Sequence, residues 1–127
     1  MRLLGRQPFN VIKDHFEHCR AFLYPQIEDF GITAVEAQAA GRPVIAYRAG
    51  GALETVIEGQ TGVFFNQQTP ASLIEAVRRF ESEQNIYKPE SCRKNAERFN
   101  TERFRSETKT FLCKYYPEDF ENYQWPA

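Results

Sequence analysis

The chain contains no apolar run approaching the ~20 residues that span a bilayer, and no signal-peptide pattern opens it. It has no surplus of either charge: 16 basic side chains stand against 17 acidic ones, for a net charge of −1. A face able to hold phosphodiesters would tilt that balance, so nucleic acid is not an expected partner. Cysteine is scarce: Cys19, Cys92 and Cys113 are odd in number and lack metal-ligand spacing. A disulfide framework and a zinc site are both disfavoured, and a reduced, cytoplasmic setting is the simplest expectation. His15 and His18 have no carboxylate or cysteine partner at metal spacing and are read as surface residues. No metal or cofactor is expected. No Gly-x-Gly-x-x-Gly follows the first apolar segment, which argues against a dinucleotide-binding domain. There are no internal repeats and no low-complexity linker.

What remains is ordinary soluble-domain material, 127 residues with 42% apolar and 26% charged side chains, enough for one domain with a buried core. Arg2-Leu-Leu-Gly5 reads as the end of a strand. Pro8 suits the first turn of a helix running to about Cys19, with Val11, Ile12, Phe16 and Cys19 near one face. Ala21 to Tyr24 is a short apolar strand ended by Pro25, which has no N–H for a ladder. A helix is expected over about Gly31 to Ala40, with Ile32, Val35 and Ala39 inward and Ala34, Ala37 and Ala40 allowing close approach. Gly41 and Arg42-Pro43 stop it. Val44 to Tyr47 is a strand, Leu53 to Ile57 a short helix, and Gly62 to Phe65 a further strand. Thr69-Pro70 caps a helix carrying Leu73, Ile74, Val77 and Phe80. Helices over Glu90–Phe99 and Thr101–Tyr115 follow, then a tail with aromatic residues at Tyr116, Phe120, Tyr123 and Trp125, whose default reading, with Tyr115, is core packing. Strands alternating with helices indicate a parallel α/β sheet.

The segment Glu28-Asp29-Phe30-Gly31-Ile32-Thr33-Ala34-Val35-Glu36 carries the chemistry. Two carboxylates with seven residues between them straddle a strand-to-helix turn. Such a turn offers free backbone N–H groups and a helix N-terminus to an anion. Acidic side chains beside an anion site are reasonable if the ligand also brings hydroxyl groups for them to accept from.

This segment, continued through Ala37 to Ala46 and Gly50-Gly51, resembles the Glu-x7-Glu signature of retaining nucleotide-sugar glycosyltransferases of the group 1, family-four type. The resemblance covers roughly residues 3 to 80, with Gly59-Gln-Thr-Gly-Val63 as a second matching turn. It implies the C-terminal, donor-binding domain of a GT-B enzyme, a partial Rossmann-like sheet flanked by helices. It also implies transfer of a sugar from a nucleoside diphosphate sugar, UDP- or GDP-linked, to an acceptor hydroxyl with retention. A GDP-carried mannosyl donor is the guess suggested by Arg6-Gln-Pro8 and the helix after it.

By the same resemblance Glu36 accepts from the ribose hydroxyls, and Glu28 lies beside the transferred sugar as the catalytic carboxylate. Phe30, Gly31, Ile32 and Thr33 meet the sugar and distal phosphate; Arg6 and Pro8 lie on the nucleobase side. Each has a plainer alternative: a solvated helix glutamate for Glu36, a macrodipole partner for Glu28, a structural turn for residues 30 to 33. Asp29 reads as a helix cap. Gly50-Gly51 lines the donor cleft or is a flexible connector. Arg42, Arg48 and Lys88 read as solvated.

Matched to the family's strand order 3-2-1-4-5-6, Leu3-Leu4 is strand 3, and residues 21–24, 44–47 and 63–65 are strands 4, 5 and 6. Strands 1 and 2 and the acceptor-binding N-terminal domain have no counterpart in residues 1–127, of which 101–127 would be a C-terminal helix and tail. Strand 4 is then left with an open edge, so either Leu3-Leu4 pairs in a new way or two copies associate through it. The chain alone is expected to be inactive; a full-length enzyme could be membrane-peripheral. The competing reading is a non-catalytic interaction or regulatory remnant. A sugar-nucleotide epimerase or phosphorylase of the same architecture ranks last, because those lack this turn.

Overall fold

The structure, a computed structural model, describes residues 2–120 and Tyr123. They fall into two compact units, Met1–Glu97 and Arg98–Ala127. The first unit runs α1 (Phe9–His18), β1 (Phe22–Tyr24), α2 (Ile32–Ala39), β2 (Val44–Tyr47), α3 (Ala52–Thr55), β3 (Gly62–Phe65), α4 (Pro70–Ser82) and α5 (Pro89–Ala96). The strands form one parallel sheet in the order β1-β2-β3, with Phe22 opposite Val44 and Val44 opposite Gly62. Short parallel strands need crossover connections, and α2 and α3 supply them.

Alternation along the strands divides the core in two. Tyr24, Val44, Ala46 and Phe64 pack with Ala34, Ala37, Ala52 and Val56 on one face, joined by Phe16 and Phe22. Ile45, Val63 and Phe65 pack with Ala76, Phe80 and Tyr87 on the other. The result is a three-layer α/β arrangement, as the alternation of elements indicated. Cys92 is fully buried, and burial pushes its thiol up to about 11, so it belongs to the core as an inert side chain.

Local signals placed most boundaries. Thr69 accepts from the Ser72 amide and Pro70 opens α4, as the cap pattern indicated. At the end of α2, Gly41 N–H donates to Gln38 O (2.8 Å) and Arg42 N–H to Ala37 O (2.9 Å), the paired bonds of a Schellman stop. The short helix after Gly51 begins and ends earlier than expected, at Ala52 and Thr55.

Four expectations fail, each for a physical reason. Leu3-Leu4 forms no strand; Leu3 is 86% exposed, since no strand lies beside it to complete a ladder. Pro8 takes the N-cap position of α1 in extended backbone rather than its first turn. In α2 the inward residues are Ala34, Val35, Ala37 and Gln38, while Ile32 and Ala39 are exposed. The small face lies against the sheet because it permits the closest approach. Ile74 also faces water, α4 burying Ala76 and Phe80 instead.

The second unit holds α6 (Thr101–Tyr115), with Asn100 Oδ1 accepting from the Arg103 amide at 2.8 Å, and α7 (Pro117–Phe120). Tyr115, Tyr116 and Tyr123 remain exposed rather than joining a core. Two helices of this length have too little surface to enclose them; Tyr115 instead pairs with Phe111 and Tyr123 with Phe120. Trp125 lies outside the described residues. Among the described residues no helix is long and apolar enough to cross a membrane.

Candidate functional site

The loops that follow the three strands converge at the C-terminal edge of the sheet, where open α/β folds bind ligands. The loop after β1 carries Glu28. Its carbonyl accepts from the Gly51 amide of the loop after β2 (2.8 Å), and Gln68, in the loop after β3, donates its side-chain amide to Pro25 O (2.9 Å). Three sequence-distant loops are thereby fastened into one rim.

Gly51 is packed directly against this rim. A Cβ there would lie 2.4 Å from Phe30 O and 2.5 Å from Asp29 O, both backbone atoms. Gly50-Gly51 is therefore neither a flexible connector nor simply a cleft lining; it is the buttress under residues 28 to 30. Its inner end is tied down by Thr55, whose hydroxyl donates to Gly51 O (3.0 Å). The Thr55 carbonyl in turn accepts from Gln38 Nε2 (2.9 Å) and Asn95 Nδ2 (2.8 Å), and Asn95 also donates to Gln38 Oε1 (2.6 Å). Gln38, Thr55 and Asn95 are all buried, so the rim is anchored to a satisfied polar network beneath it.

The turn itself ends at Gly31, the N-cap of α2, with φ +79°. No side chain caps this helix, so Asp29 does not serve the capping role expected of it. The first amides of a helix have no partner within it, and no side chain caps those of Ile32 and Thr33. Phe30 and Ile32 are exposed and Thr33 is half-buried beside them. Gly31 has no room for a side chain. The position a Cβ would take is occupied from within: it would sit 2.4 Å from the Tyr24 hydroxyl.

Tyr24 is the residue that sequence reasoning missed. It is fully buried, and its hydroxyl has no hydrogen-bond partner. A buried polar group left unpaired costs about 1–3 kcal/mol. Burial, and then the Glu28 carboxylate nearby, push its phenol up to about 12, because both disfavour a phenolate. The available signal was a tyrosine closing an apolar strand immediately before the signature loop.

Glu28 and Glu36 occupy opposite ends of the turn. Glu28 is exposed, with Gln26 Nε2 at 3.3 Å from its Oε1. Glu36 is half-buried, one turn into α2. It lines a cavity of about 240 Å³ between α1 and α2, together with Phe9, Lys13, Phe16 and Glu17. Glu28 is not among the residues lining that cavity. The cavity brings Glu36 to the start of α1, one residue beyond Pro8, whereas Arg6 stands exposed on the segment before it. Phe9, 69% exposed in this cavity wall, was also overlooked; an exposed aromatic directly after Pro8 was the signal for it.

Arg48 does not sit free in solvent. It donates to Asn66 Oδ1 (2.9 Å), pairs with Glu58 (2.5 Å) and lies 4.7 Å from the Phe64 ring centre. His15 and His18 are exposed, as expected, with His18 Nδ1 near Asp14. Among the described residues no group of His, Cys, Asp and Glu side chains is arranged to hold a metal ion.

The family described as glycosyl transferases group 1 matches residues 1–99. An uncharacterized glycosyltransferase of Methanocaldococcus jannaschii is 37% identical over 78 residues, 61% of this chain and 22% of that protein. The alpha-1,3/1,6-mannosyltransferase of Dictyostelium discoideum is 50% identical over 50 residues, 39% of this chain and 12% of its own length. A D-inositol 3-phosphate glycosyltransferase of Corynebacterium kroppenstedtii is 37% identical over 75 residues, 58% of this chain and 17% of that one. The chain thus spans about a fifth or less of the length of these relatives. In fold it resembles the sucrose-phosphate synthase of Thermosynechococcus elongatus, with a TM-score of 0.81 at 24% identity, over 92% of this chain and 30% of that one. The partial Rossmann-like sheet expected of a GT-B glycosyltransferase is the sheet observed.

Proposed function

The chain belongs to the group 1 glycosyl transferases, and on that premise we propose that it is the donor-holding part of a retaining hexosyltransferase. Its donor is a nucleoside diphosphate sugar, carried by UDP or GDP, bound across residues 28 to 36. The observation that carries this reading is the uncapped N-terminus of α2, with free amides at Ile32 and Thr33 and a carboxylate at either end of the turn. The amides and helix dipole take the diphosphate, Glu36 accepts from the ribose and Glu28 from the sugar. Phe30 and Gly31 shape the turn, and Arg6 and Pro8 border the nucleobase. In sugar transfer, charge accumulates on the departing diphosphate, and fixed backbone dipoles stabilise it without reorganising. The reading invokes no metal. The isolated chain is expected to hold the donor weakly and to transfer nothing, the acceptor domain being a separate requirement.

Titration of the chain with UDP-glucose and GDP-mannose, followed by amide chemical shifts, tests the proposal. Resonances of residues 30 to 36 should move for one of the two donors. A carboxylate accepting from hydroxyls is worth about 1.5–3 kcal/mol, so Glu36→Ala should weaken binding roughly ten- to a hundredfold. Equal binding by the variant, or no response from the wild-type chain, would refute the assignment.

The sheet edges support a further partner, a second copy of the chain. The outer edge of β3 is blunted: Arg79 donates to Phe64 O (2.6 Å) and pairs with Glu58. Among the described residues no strand pairs with the outer edge of β1, and Leu23 on it is 48% exposed. Sedimentation should show a dimer that Leu23→Lys dissociates; a wild-type monomer at high concentration would exclude it.

A further inference from the structure

Among the described residues two buried side-chain polar atoms have no partner: Arg42 Nε, beyond the far end of α2, and the Tyr24 hydroxyl beneath the turn. If Tyr24 served only to fill the core, phenylalanine would fill the same volume without the orphaned oxygen. The ring reaches up under the chain at Gly31, and this is the place where a Cβ would strike the hydroxyl first, at 2.4 Å, and the ring carbon bearing it next, at 2.9 Å. Glu28 follows four residues later in the same loop. Its carboxylate accepts from Gln26 at a long 3.3 Å in an exposed position, and it also lies close enough to Tyr24 to hold the proton on the phenol.

We propose that Tyr24 is a positioning residue: its hydroxyl donates to the Glu28 carboxylate when a sugar draws that side chain onto the turn, fixing the orientation in which Glu28 meets the sugar. The proposal rests on the reading of residues 28 to 36 as the donor turn. It accounts for a fully buried hydroxyl that makes no well-formed hydrogen bond in the free protein although the Glu28 carboxylate lies near it. It also agrees with the raised pKa of the phenol: burial pushes it up most and the Glu28 carboxylate adds to this, so the proton stays on the oxygen that must donate.

Tyr24→Phe provides the test, with three readouts on the 127-residue chain. The variant should fold with a urea midpoint equal to or above that of the wild type, because an unpaired buried group has gone. Its affinity for UDP-glucose or GDP-mannose, whichever the wild type binds, should fall about tenfold, while its affinity for UDP or GDP should not change. Only the sugar meets Glu28. Glu28→Gln should show the same selective loss, and the double variant should be no weaker than either single one. Equal losses for the sugar nucleotide and the bare diphosphate would mean a merely structural role and overturn the proposal. So would wild-type affinity in Tyr24→Phe, or additive losses in the double variant.

A wild-type chain that binds no nucleotide sugar defeats the proposed function, and the proximity of Tyr24 to Glu28 on which the positioning role depends is then judged without ligand. The ring resonances of Tyr24 should titrate near 12 in the wild type and at lower pH in Glu28→Gln. An unshifted titration would sink it.

Discussion

Gly31→Ala is expected to cost the first unit roughly 2–5 kcal/mol. About 1–2 kcal/mol comes from forcing a Cβ into the left-handed region at φ +79°. The remaining 1–3 kcal/mol comes from overpacking against the Tyr24 ring, which is fully buried and cannot swing aside. Domains of this size carry only about 5–15 kcal/mol in total, so the variant should be marginal at 37 °C. The two contributions separate experimentally. Combining the change with Tyr24→Phe removes the closest clash, that with the hydroxyl, and should recover part of the loss; the backbone part should persist. Gly51→Ala makes an instructive contrast. Its φ of −61° suits any residue, so only the clash with the carbonyls of Asp29 and Phe30 acts, but it acts directly on the turn. Its stability loss should be of the same order as that of Gly31→Ala, since the atoms it strikes are backbone, and its loss of donor binding at least as large. Urea denaturation gives the first comparison and donor titration the second. A Gly31→Ala chain within about 0.5 kcal/mol of wild type, the usual range for surface changes, would show that the turn relaxes freely.

Asn95→Ala should be comparably harmful, although Asn95 lies on α5, far along the chain from residues 28 to 36. Its side-chain amide donates both to Gln38 Oε1 (2.6 Å) and to Thr55 O (2.8 Å), and these groups are buried. Truncation leaves Gln38 Oε1 without this donor and opens a small void. An unpaired buried acceptor costs about 1–3 kcal/mol, with about 1 kcal/mol more for the cavity. Asn95→Asp is a sharper probe, because it sets a carboxyl against two acceptors. That group would have to stay protonated in the folded state, raising its folded pKa above its unfolded value. Stability would be best at low pH and would fall as pH rises above about 4, where the unfolded chain's aspartate ionises. Urea midpoints across pH 3 to 7 would show this slope for Asn95→Asp relative to wild type. A flat difference would mean that the network opens to water. Because Thr55 also ties down Gly51, both variants should loosen residues 28 to 30, seen as faster amide exchange of Gly51.

Much of this was written locally. Glycine, proline and capping signals placed the helix from Thr69-Pro70, the stop at Gly41 and the strands from Val44 and Gly62 within a residue or two. The Glu28–Glu36 segment announced both the strand-to-helix turn and the family. Leu3-Leu4 went wrong because a strand is a property of a pair, and two apolar residues carry no record of whether a neighbour exists. The inward face of α2 went wrong at Ile32 and Ala39, although Val35 is buried as expected, because helical spacing was read from the bulkier residues. What faces the sheet is set by how closely two surfaces can approach, and alanine approaches closest.

The sequence by itself determined the class of fold, the order of its elements and the turn on which function is proposed to rest, since each depends on residues within one or two helical turns of one another. Tertiary structure decided what supports that turn. Gly51 comes under Glu28, Asn95 meets Gln38 across 57 positions, and the Tyr24 ring fills the space at Gly31. These are contacts between surfaces brought together only by folding, and neither spacing nor composition encodes the distance between them.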